Sequence, residues 1–564
     1  MAETNENLYE KKPWLAHYDE GVPAEIDFPE INLYEILDNA AKKFGSSTAI
    51  YYAENRINYN KLKDLTDRLA TALVELGVKK GDRVALLMPN FPQYIIAFYG
   101  ILKAGAIVSA SNVLYTEHEL LYQINDSGAE VLIAHDSQLE KINNIRNSTS
   151  LRHVVISNYM DYGPKGSKNP PEIAGTIQLV KLLDKTKPNP PKFKTDAKED
   201  IAVFQYTGGT TGLPKGAMLT HYNLVSNLIT VYEWSKNVRR NGRDIVLTQL
   251  PLNHIYGTTV CMNTFIYNGS CIAFNPDLRD QKSFFEVIKA VKPAFLPGVP
   301  KMYSDLLERD DFMDYIKEFK CIKICNSGAS AMPQQVMKEF EAMTGAKIIE
   351  GYGMSETSPC TISNPTEGER KIGSVGLPLP NTEIKIVDVD DYTKIVPLGE
   401  PGELMIKGPQ VMKGYWNHPE ETANQVKDEW ILTGDIAQMD ADGYVFIVDR
   451  KKDMINISGF KVYPREVEDV LLEFGSIENA AILGIPNPEY PEREMVKAYI
   501  ILKDGYKESE ETLADIKEFC RTNLAPFKVP KEFEFRKELP LTVIGKTKKK
   551  DLQQHEKLNR GEEV

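Results

Sequence analysis

The sequence predicts an α/β protein: a large N-terminal domain of β-sheets sandwiched with helices, followed by a small α+β C-terminal domain. Three observations carry this. Short β-rich apolar runs alternate with helical patterns through most of the 564 residues, the spacing expected of βαβ units and parallel sheets. At about 150 residues per domain, the length allows two to four domains and a large core without disulfide or metal staples. After Val448, the charged run Asp449-Arg-Lys-Lys-Asp453 separates the body from a compact tail.

Arg83-Val-Ala-Leu-Leu-Met88 reads as a strand ended by Pro89, Tyr94 to Lys103 as an apolar helix, and Ala106 to Ala110 as the next strand. Glu130 to Ala134 and Arg152 to Ser157 follow as strands. Residues 160–200 are polar and rich in Pro, Lys and Asn, and read as a surface connection or a subdomain boundary. In the tail, a helix from Pro464 to Phe474 has Pro in its first turn. Strands near Ala480 to Ile485 and Val496 to Leu502, and a helix from Thr512 to Leu524, complete a segment long enough for an independent domain. The expected domains are therefore 1–448 and 449–564.

Composition removes several function classes. Lys and Arg number 67 against 80 Asp and Glu, a net charge of −13, which opposes non-specific binding to nucleic acid. Six cysteines are too sparse for a disulfide scaffold. Cys321 and Cys325 form the one close pair, with no second Cys/His pair to complete a zinc site; they read as buried thiols in a reducing compartment. The start, Met-Ala-Glu-Thr-Asn-Glu-Asn, lacks the apolar core of a signal peptide. The uncharged stretch Val84 to Leu102 contains Pro89, Asn90, Pro92 and Gln93, unlike a membrane span. The expectation is a soluble, cytoplasmic protein, with peripheral membrane contact and oligomer formation left open.

The strongest single signal is Tyr206-Thr-Gly-Gly-Thr-Thr-Gly-Leu-Pro-Lys-Gly216, which follows the apolar strand Ile201 to Tyr206. A loop at a strand's carboxyl end is where α/β sheets bind ligands. Gly208, Gly209 and Gly212 let backbone N–H groups turn inward as an anion nest; Thr207, Thr210 and Thr211 add hydroxyls, and Lys215 adds positive charge. The order Gly-Lys-Ser/Thr of a Walker A loop is absent, and so is a Gly-x-Gly-x-x-Gly after a strand.

The loop resembles the phosphate loop of the adenylate-forming superfamily, which comprises acyl- and aryl-CoA synthetases, firefly-type luciferases and peptide-synthetase adenylation domains. The resemblance runs nearly the full length, through Leu87-Met-Pro-Asn-Phe-Pro, Glu350-Gly-Tyr-Gly-Met-Ser-Glu-Thr357, Gly402-Glu-Leu-Met-Ile-Lys-Gly408, Gly414-Tyr-Trp416, Thr433-Gly-Asp435, Asp449-Arg-Lys-Lys-Asp-Met454 and Gly545-Lys546. It implies the adenylate-forming fold, with a mobile C-terminal domain turning at a hinge near Asp449. The implied chemistry joins a carboxylic acid to AMP, expels pyrophosphate and passes the acyl group to coenzyme A.

Two anions must meet in that first step, so the site needs cations and oriented donors rather than a strong base. By resemblance, Thr207 to Gly212 cradle the β- and γ-phosphates of ATP, and Lys215 adds charge. Glu356 holds Mg²⁺, a hard cation suited to oxygen ligands, with Thr207 beside it. Ser355 stands where Thr is commoner and keeps the hydroxyl. Tyr352, within Glu350-Gly351-Tyr352-Gly353, stacks on adenine, and Gly328-Ala329 packs on its other side. Asp435 accepts the ribose hydroxyls and Arg450 is the second ribose contact. Lys546, alone among the lysines of Lys546-Thr-Lys-Lys-Lys550, follows the glycine in the family's position and bridges carboxylate and α-phosphate.

The acid is an expectation of the same kind. Pro251-Leu-Asn-His-Ile-Tyr-Gly257 resembles the family's acyl-pocket wall, with Asn253 in place of the usual Phe and His254 at the acyl and phosphate junction. No Asp or Glu lies between Pro251 and Pro276, whereas amino-acid-activating relatives place an aspartate here because a buried ammonium needs a counter-charge. Trp14 to Asp27 and Met454 to Pro464 are similar to long-chain fatty-acyl-CoA synthetases, in which Ser458-Gly459 lies on the pantetheine tunnel; Gly208 also recurs in that branch. An aryl- or short-chain-acyl-CoA ligase is the alternative. A non-catalytic AMP-binding regulator would have lost Glu356, Asp435 or Lys546, and all three are present.

Overall fold

The structure is a computed structural model that describes residues 9–163, 173–207, 213–276, 281–457, 460–487, 490, 494–540 and 547–560. Contacts divide it into two compact units. The larger is Trp14–Glu383 with Ile406–Ile431; the smaller is Met1–Pro13 with Ile384–Met405 and Leu432–Val564.

The main sheet of the larger unit has seven strands. Across it run Ile177–Gln178, His153–Ser157, Val131–His135, Arg83–Leu87, Ile107–Ala110, Ile201–Thr207 and Lys215–Thr220. Every pairing is parallel except the last, in which Lys215–Thr220 returns antiparallel to Ile201–Thr207. Arg83–Leu87 lies between Ile107–Ala110 and Val131–His135, so chain order reverses at its carboxyl end, where such sheets take ligands. Alternating apolar residues, among them Leu87, Leu132, Ala134 and Val154, pack on Leu120, Ile124, Ile142 and Ile145 from the covering helices.

The expected strands appear within a residue or two of their predicted ends. The apolar helix spans Pro92–Lys103 and all twelve residues are buried; it starts earlier than Tyr94 because Pro92 fits the first turn. Its last residue, Lys103, is 2% exposed and lies 2.6 Å from Asp38 and 2.5 Å from Asp67, which ties together helices Leu33–Phe44, Tyr59–Glu75 and Pro92–Lys103. Residues 160–200, expected as connection alone, include the edge strand Ile177–Gln178 and the helix Leu179–Lys185, anchored by buried Leu179 and Leu183. So short a strand leaves no period for a sequence reading to detect.

Two further sheets complete the larger unit. One orders Ile245–Thr248, Cys271–Phe274, Thr48–Tyr52 and Asn55–Asn58; the other orders Ile324–Ser327, Lys347–Gly353, Cys360–Ser363 and Leu377–Pro378. Phe295 bridges Val246 on one side and Ile324 on the other.

In the smaller unit, Ile477–Pro486, Glu494–Leu502 and Glu532–Phe535 form a three-stranded sheet. Helices Pro464–Leu472 and Glu510–Asn523 bury Val467, Leu471, Ile516 and Cys520 against Ile482, Val496 and Ile500. Both tail helices and both strands were expected; each strand is extended at its amino end. The compact unit also takes in Leu432–Val448, where Trp430–Met439 pairs antiparallel with Val445–Arg450. No helix among the described residues is long and apolar enough to cross a membrane.

His221 opens the helix His221–Trp234, and its Nδ1 accepts the backbone N–H of Leu33, the first residue of another helix, at 3.1 Å. Burial pushes the imidazole down to about 4, against a smaller upward pull from Asp200. The unfolded chain therefore binds a proton that the folded one refuses between about pH 6.5 and 4. Stability should fall as pH drops through that window, by about 3 kcal/mol at roughly 1.4 kcal/mol per pKa unit. Denaturant titrations across that range should show this loss in the wild type and a flatter curve in His221→Asn.

Candidate active site

The phosphate-loop candidate leaves the main sheet at Thr207 and re-enters it at Lys215, and these two residues face each other in the antiparallel register. Gly208, Gly209, Thr210, Thr211 and Gly212 lie outside the described residues, as do Ser458, Gly459 and Lys546. The return strand is held on its other side by residues 413–416. Met218 N–H donates to Gly414 O at 2.8 Å, Trp416 N–H to Gly216 O at 2.8 Å, and Lys413 N–H to Met218 O at 3.0 Å. Trp416 is anchored in turn, its indole N–H donating to Asp126 O at 3.0 Å and its ring packing on Phe204.

This strap reaches Glu356. The Glu356 side chain is buried, Tyr415 Oη donates to its Oε1 at 2.7 Å, and Met412 N–H donates to its backbone oxygen at 2.8 Å. Burial and the Glu356 carboxylate both push the Tyr415 phenol far up, so it remains a donor at any working pH. Lys215 stands 5.8 Å over the Tyr415 ring and 3.1 Å from Glu421. The structure thus gathers Lys215 and Glu356 around one tyrosine, with Thr207 opposite Lys215 in the strand register.

Among the described residues no three His, Cys, Asp or Glu side chains cluster as a metal cage. A single buried carboxylate, Glu356, suits a hard cation that arrives with phosphate and keeps most of its waters. Mg²⁺ fits this donor set, with Glu356 and Thr207 as the side chains that would hold it.

The strand Lys347–Gly353 carries Glu350, Gly351, Tyr352 and Gly353 beside Ile324–Ser327, in a register that sets Ser327 opposite Glu350. Glu350 is buried and accepts Met332 N–H at 3.0 Å. Gly353 is obligatory: a Cβ there would lie 1.7 Å from Pro359 O. Ser355 opens the short helical turn that includes Glu356. Gly328 lies under the Tyr256 ring, where a Cβ would come within 3.2 Å, and Ala329 follows at φ +68°.

The wall segment is suspended from the loop that follows the central strand of the main sheet. Asn90 Nδ2 donates to Leu250 O at 2.7 Å, and Asn90 Oδ1 accepts Leu252 N–H at 2.8 Å. Leu252 O accepts both Tyr94 Oη at 2.8 Å and Thr258 Oγ1 at 2.5 Å. Gln205, two residues before Thr207, donates to Asn253 O at 3.1 Å, which brings the wall to the phosphate-loop strand. His254 has an exposed side chain, and its Nδ1 accepts Tyr256 N–H at 3.3 Å, which leaves the ring proton on Nε2 when the imidazole is neutral. Beyond it, Gly257–Asn263 forms a π-helical stretch in which all seven residues are buried.

In the smaller unit, Asp435 and Arg450 face each other across paired strands, with Arg450 Nε 2.7 Å from Asp435 Oδ1. Asp435 is buried and Arg450 half exposed. Glu403, also buried, holds the same turn: it accepts Gly434 N–H at 3.1 Å and Lys451 Nζ at 2.7 Å. Asp449 accepts the backbone N–H groups of Arg450 and Arg465, each at 2.7 Å; burial still raises its carboxyl. Lys452 lies at an exposed position, yet the desolvation it does experience pushes its ammonium down.

Tyr415 and Glu403 lie within motifs that the sequence displays, Gly414-Tyr-Trp416 and Gly402-Glu, yet neither position announces what its side chain does. Asn90 lies within Leu87-Met-Pro-Asn-Phe-Pro without announcing its partners, and Glu421 lies outside every motif. Leu250 and Leu252 for Asn90, and Lys215 for Glu421, lie at least 160 residues away in sequence.

The family profile described as AMP-binding enzyme matches residues 37–416, and that described as AMP-binding enzyme C-terminal domain matches 466–546. The chain is 39% identical to a long-chain-fatty-acid–CoA ligase of Bacillus subtilis (strain 168), covering 98% of this chain and 99% of that one. It is 37% identical to the protein of the same name from Salmonella typhimurium (strain LT2), covering 96% and 98%. Among solved structures, an anthranilate CoA ligase in complex with anthranoyl-AMP aligns with a TM-score of 0.83 at 28% identity, over 94% of this chain and 98% of its own.

Replacing Glu403 by Leu removes the acceptor for Gly434 and strands Lys451. AMP affinity, read by calorimetry on folded protein, should drop about tenfold, or about 1.4 kcal/mol. Glu403→Gln, which keeps the acceptor, should lose less; wild-type affinity in the Leu variant would show that the Asp435 turn holds itself.

Proposed function

The chain belongs to the AMP-binding enzyme family, and from that premise we propose that it activates long-chain fatty acids. It is an AMP-forming acid–thiol ligase that uses ATP and coenzyme A. The observation that carries the substrate reading is the wall Pro251–Pro276, which has no Asp or Glu and buries the whole of Gly257–Asn263. An uncharged lining favours an acyl chain over an amino acid, whose ammonium would need a counter-charge. The likeness to long-chain-fatty-acid–CoA ligases over nearly the full chain supports the same reading.

In the first half-reaction a carboxylate oxygen attacks the α-phosphorus of ATP, and the bond to the β-phosphate oxygen breaks as pyrophosphate leaves. Thr207 to Gly212 and Lys215 bind the β- and γ-phosphates and neutralise their charge. Glu356 and Thr207 would hold Mg²⁺, which would supply charge neutralisation on the phosphate oxygens. Gly328, Ala329 and Tyr352 enclose adenine, with Glu350, Gly351, Gly353 and Ser355 shaping that strand. Asp435 and Arg450, already paired, bind the ribose. His254 lines the junction of acyl group and phosphate, and Lys546 offsets the repulsion between the two anions. In the second half-reaction the thiol sulfur attacks the acyl carbonyl, AMP departs and the thiol proton is lost. Ser458 and Gly459 line the pantetheine path, and Asp449 is the pivot between 1–448 and 449–564. A cytoplasmic location suits both co-substrates and the six free cysteines.

Pyrophosphate release across acids from acetate to stearate, with benzoate and anthranilate alongside, should be fastest for the long-chain acids. An optimum at an aryl acid would overturn the substrate reading. Lys546→Ala should lose ~10²–10⁴-fold in pyrophosphate release, the scale of one preorganised donor, yet still convert supplied acyl-AMP and coenzyme A to thioester. Equal loss of both steps would remove Lys546 from the specific role assigned to it.

A further inference from the structure

Glu356 does not present its carboxylate unaided. Oε1 is engaged by the Tyr415 phenol at 2.7 Å, and both side chains are buried. The Gln425 amide lies 3.1 Å from the same phenol oxygen. That Gln425 atom is Oε1, an acceptor, so the two oxygens compete for the single phenol proton, and the nearer, charged carboxylate of Glu356 takes the hydrogen bond. The backbone of Tyr415 is fixed as well, bridged to Ala217 on the strand leaving the phosphate loop and followed by the Trp416–Gly216 hydrogen bond. One residue therefore joins the phosphate-binding strand through its backbone to the candidate cation carboxylate through its side chain.

We propose that Tyr415 is a positioning residue that determines which divalent cation Glu356 takes. The inference rests on the reading of Glu356 as the cation ligand and goes beyond it. Mg²⁺ is small, demands octahedral geometry and takes carboxylates through one oxygen; Ca²⁺ is larger and readily takes both oxygens of one carboxylate. A phenol seated on Oε1 leaves one-oxygen binding undisturbed, whereas two-oxygen binding must break a buried hydrogen bond. The tyrosine thus selects for a cation content with a single oxygen.

The test is calorimetric titration of ATP into folded, full-length protein with no metal, with MgCl₂ and with CaCl₂, so that the readout is binding and not turnover. In the wild type, Mg²⁺ should strengthen ATP binding more than Ca²⁺ does. In Tyr415→Phe, binding without metal should be unchanged and the gain from Mg²⁺ should drop about tenfold, the lower end for losing a partner of a metal ligand. The gain from Ca²⁺ should drop less, so that the preference narrows. A preference in Tyr415→Phe equal to that of the wild type overturns the inference. Glu356→Gln separates the two levels: it should abolish the metal-dependent gain, and if the gain survives there, the cation reading of Glu356 falls and the inference with it. Should Tyr415→Phe fail to fold, Glu356→Asp draws the carboxylate away from the phenol while keeping its charge. That variant must show the same narrowing, and an unchanged preference overturns the inference equally.

Discussion

Burying a carboxylate costs several kcal/mol unless donors meet it, and much of the larger unit is arranged to meet that cost at Glu356. The phenol that donates to it cannot hold its place alone. It is carried by a strap that hydrogen-bonds to the strand Lys215–Thr220 on one side and to the backbone of Glu356 on the other. The strap is pinned by Trp416, whose indole nitrogen reaches Asp126 and whose ring rests on Phe204. Remove the demand to bury that carboxylate and the sequence 412–416 has no reason to cross where it does.

The same logic recurs in the smaller unit at lower intensity. Asp435 is buried and Arg450 lies opposite it in the strand register, so the ion pair follows from the pairing of the strands. Glu403 holds the preceding glycine and Lys451 together. Three charged residues that look like a solvated linker, Arg450, Lys451 and Lys452, are thus divided in use. Two compensate buried acids, and the third, Lys452, stays exposed with its ammonium pushed down by partial desolvation.

Much of this was legible in the residues. Strand and helix alternation located Arg83–Leu87, Pro92–Lys103, Val131–His135 and His153–Ser157, because parallel strands are continuous apolar runs and their helices carry one apolar face. The tail was legible for the same reason. Site candidates were legible where motif and chemistry coincide, as at Thr207, Lys215, Glu356 and Asp435. What stayed hidden is long-range pairing. Nothing around Asn90 says that its amide reads the backbone at Leu250 and Leu252, and nothing around Tyr415 says that its phenol meets Glu356. Hydrogen bonds across such separations leave no period in the chain; only the folded sheet order creates them. The short edge strand Ile177–Gln178 escaped because two residues cannot display a pattern.

The suspension of the wall from Asn90 and Tyr94 bears on how such a protein diversifies. The backbone of Leu250–Leu252 is held by Asn90 and Tyr94, from the loop and helix that follow the central strand of the main sheet, and by the Thr258 hydroxyl, while the other side chains of the buried stretch Gly257–Asn263 take no part in these bonds. Were that stretch to line the acyl pocket, as proposed, lineages could exchange its remaining residues, trading bulk for depth, while the main-chain path stayed in register. Preference among acids would then be an inherited trait that drifts one substitution at a time, on a frame that each descendant receives intact.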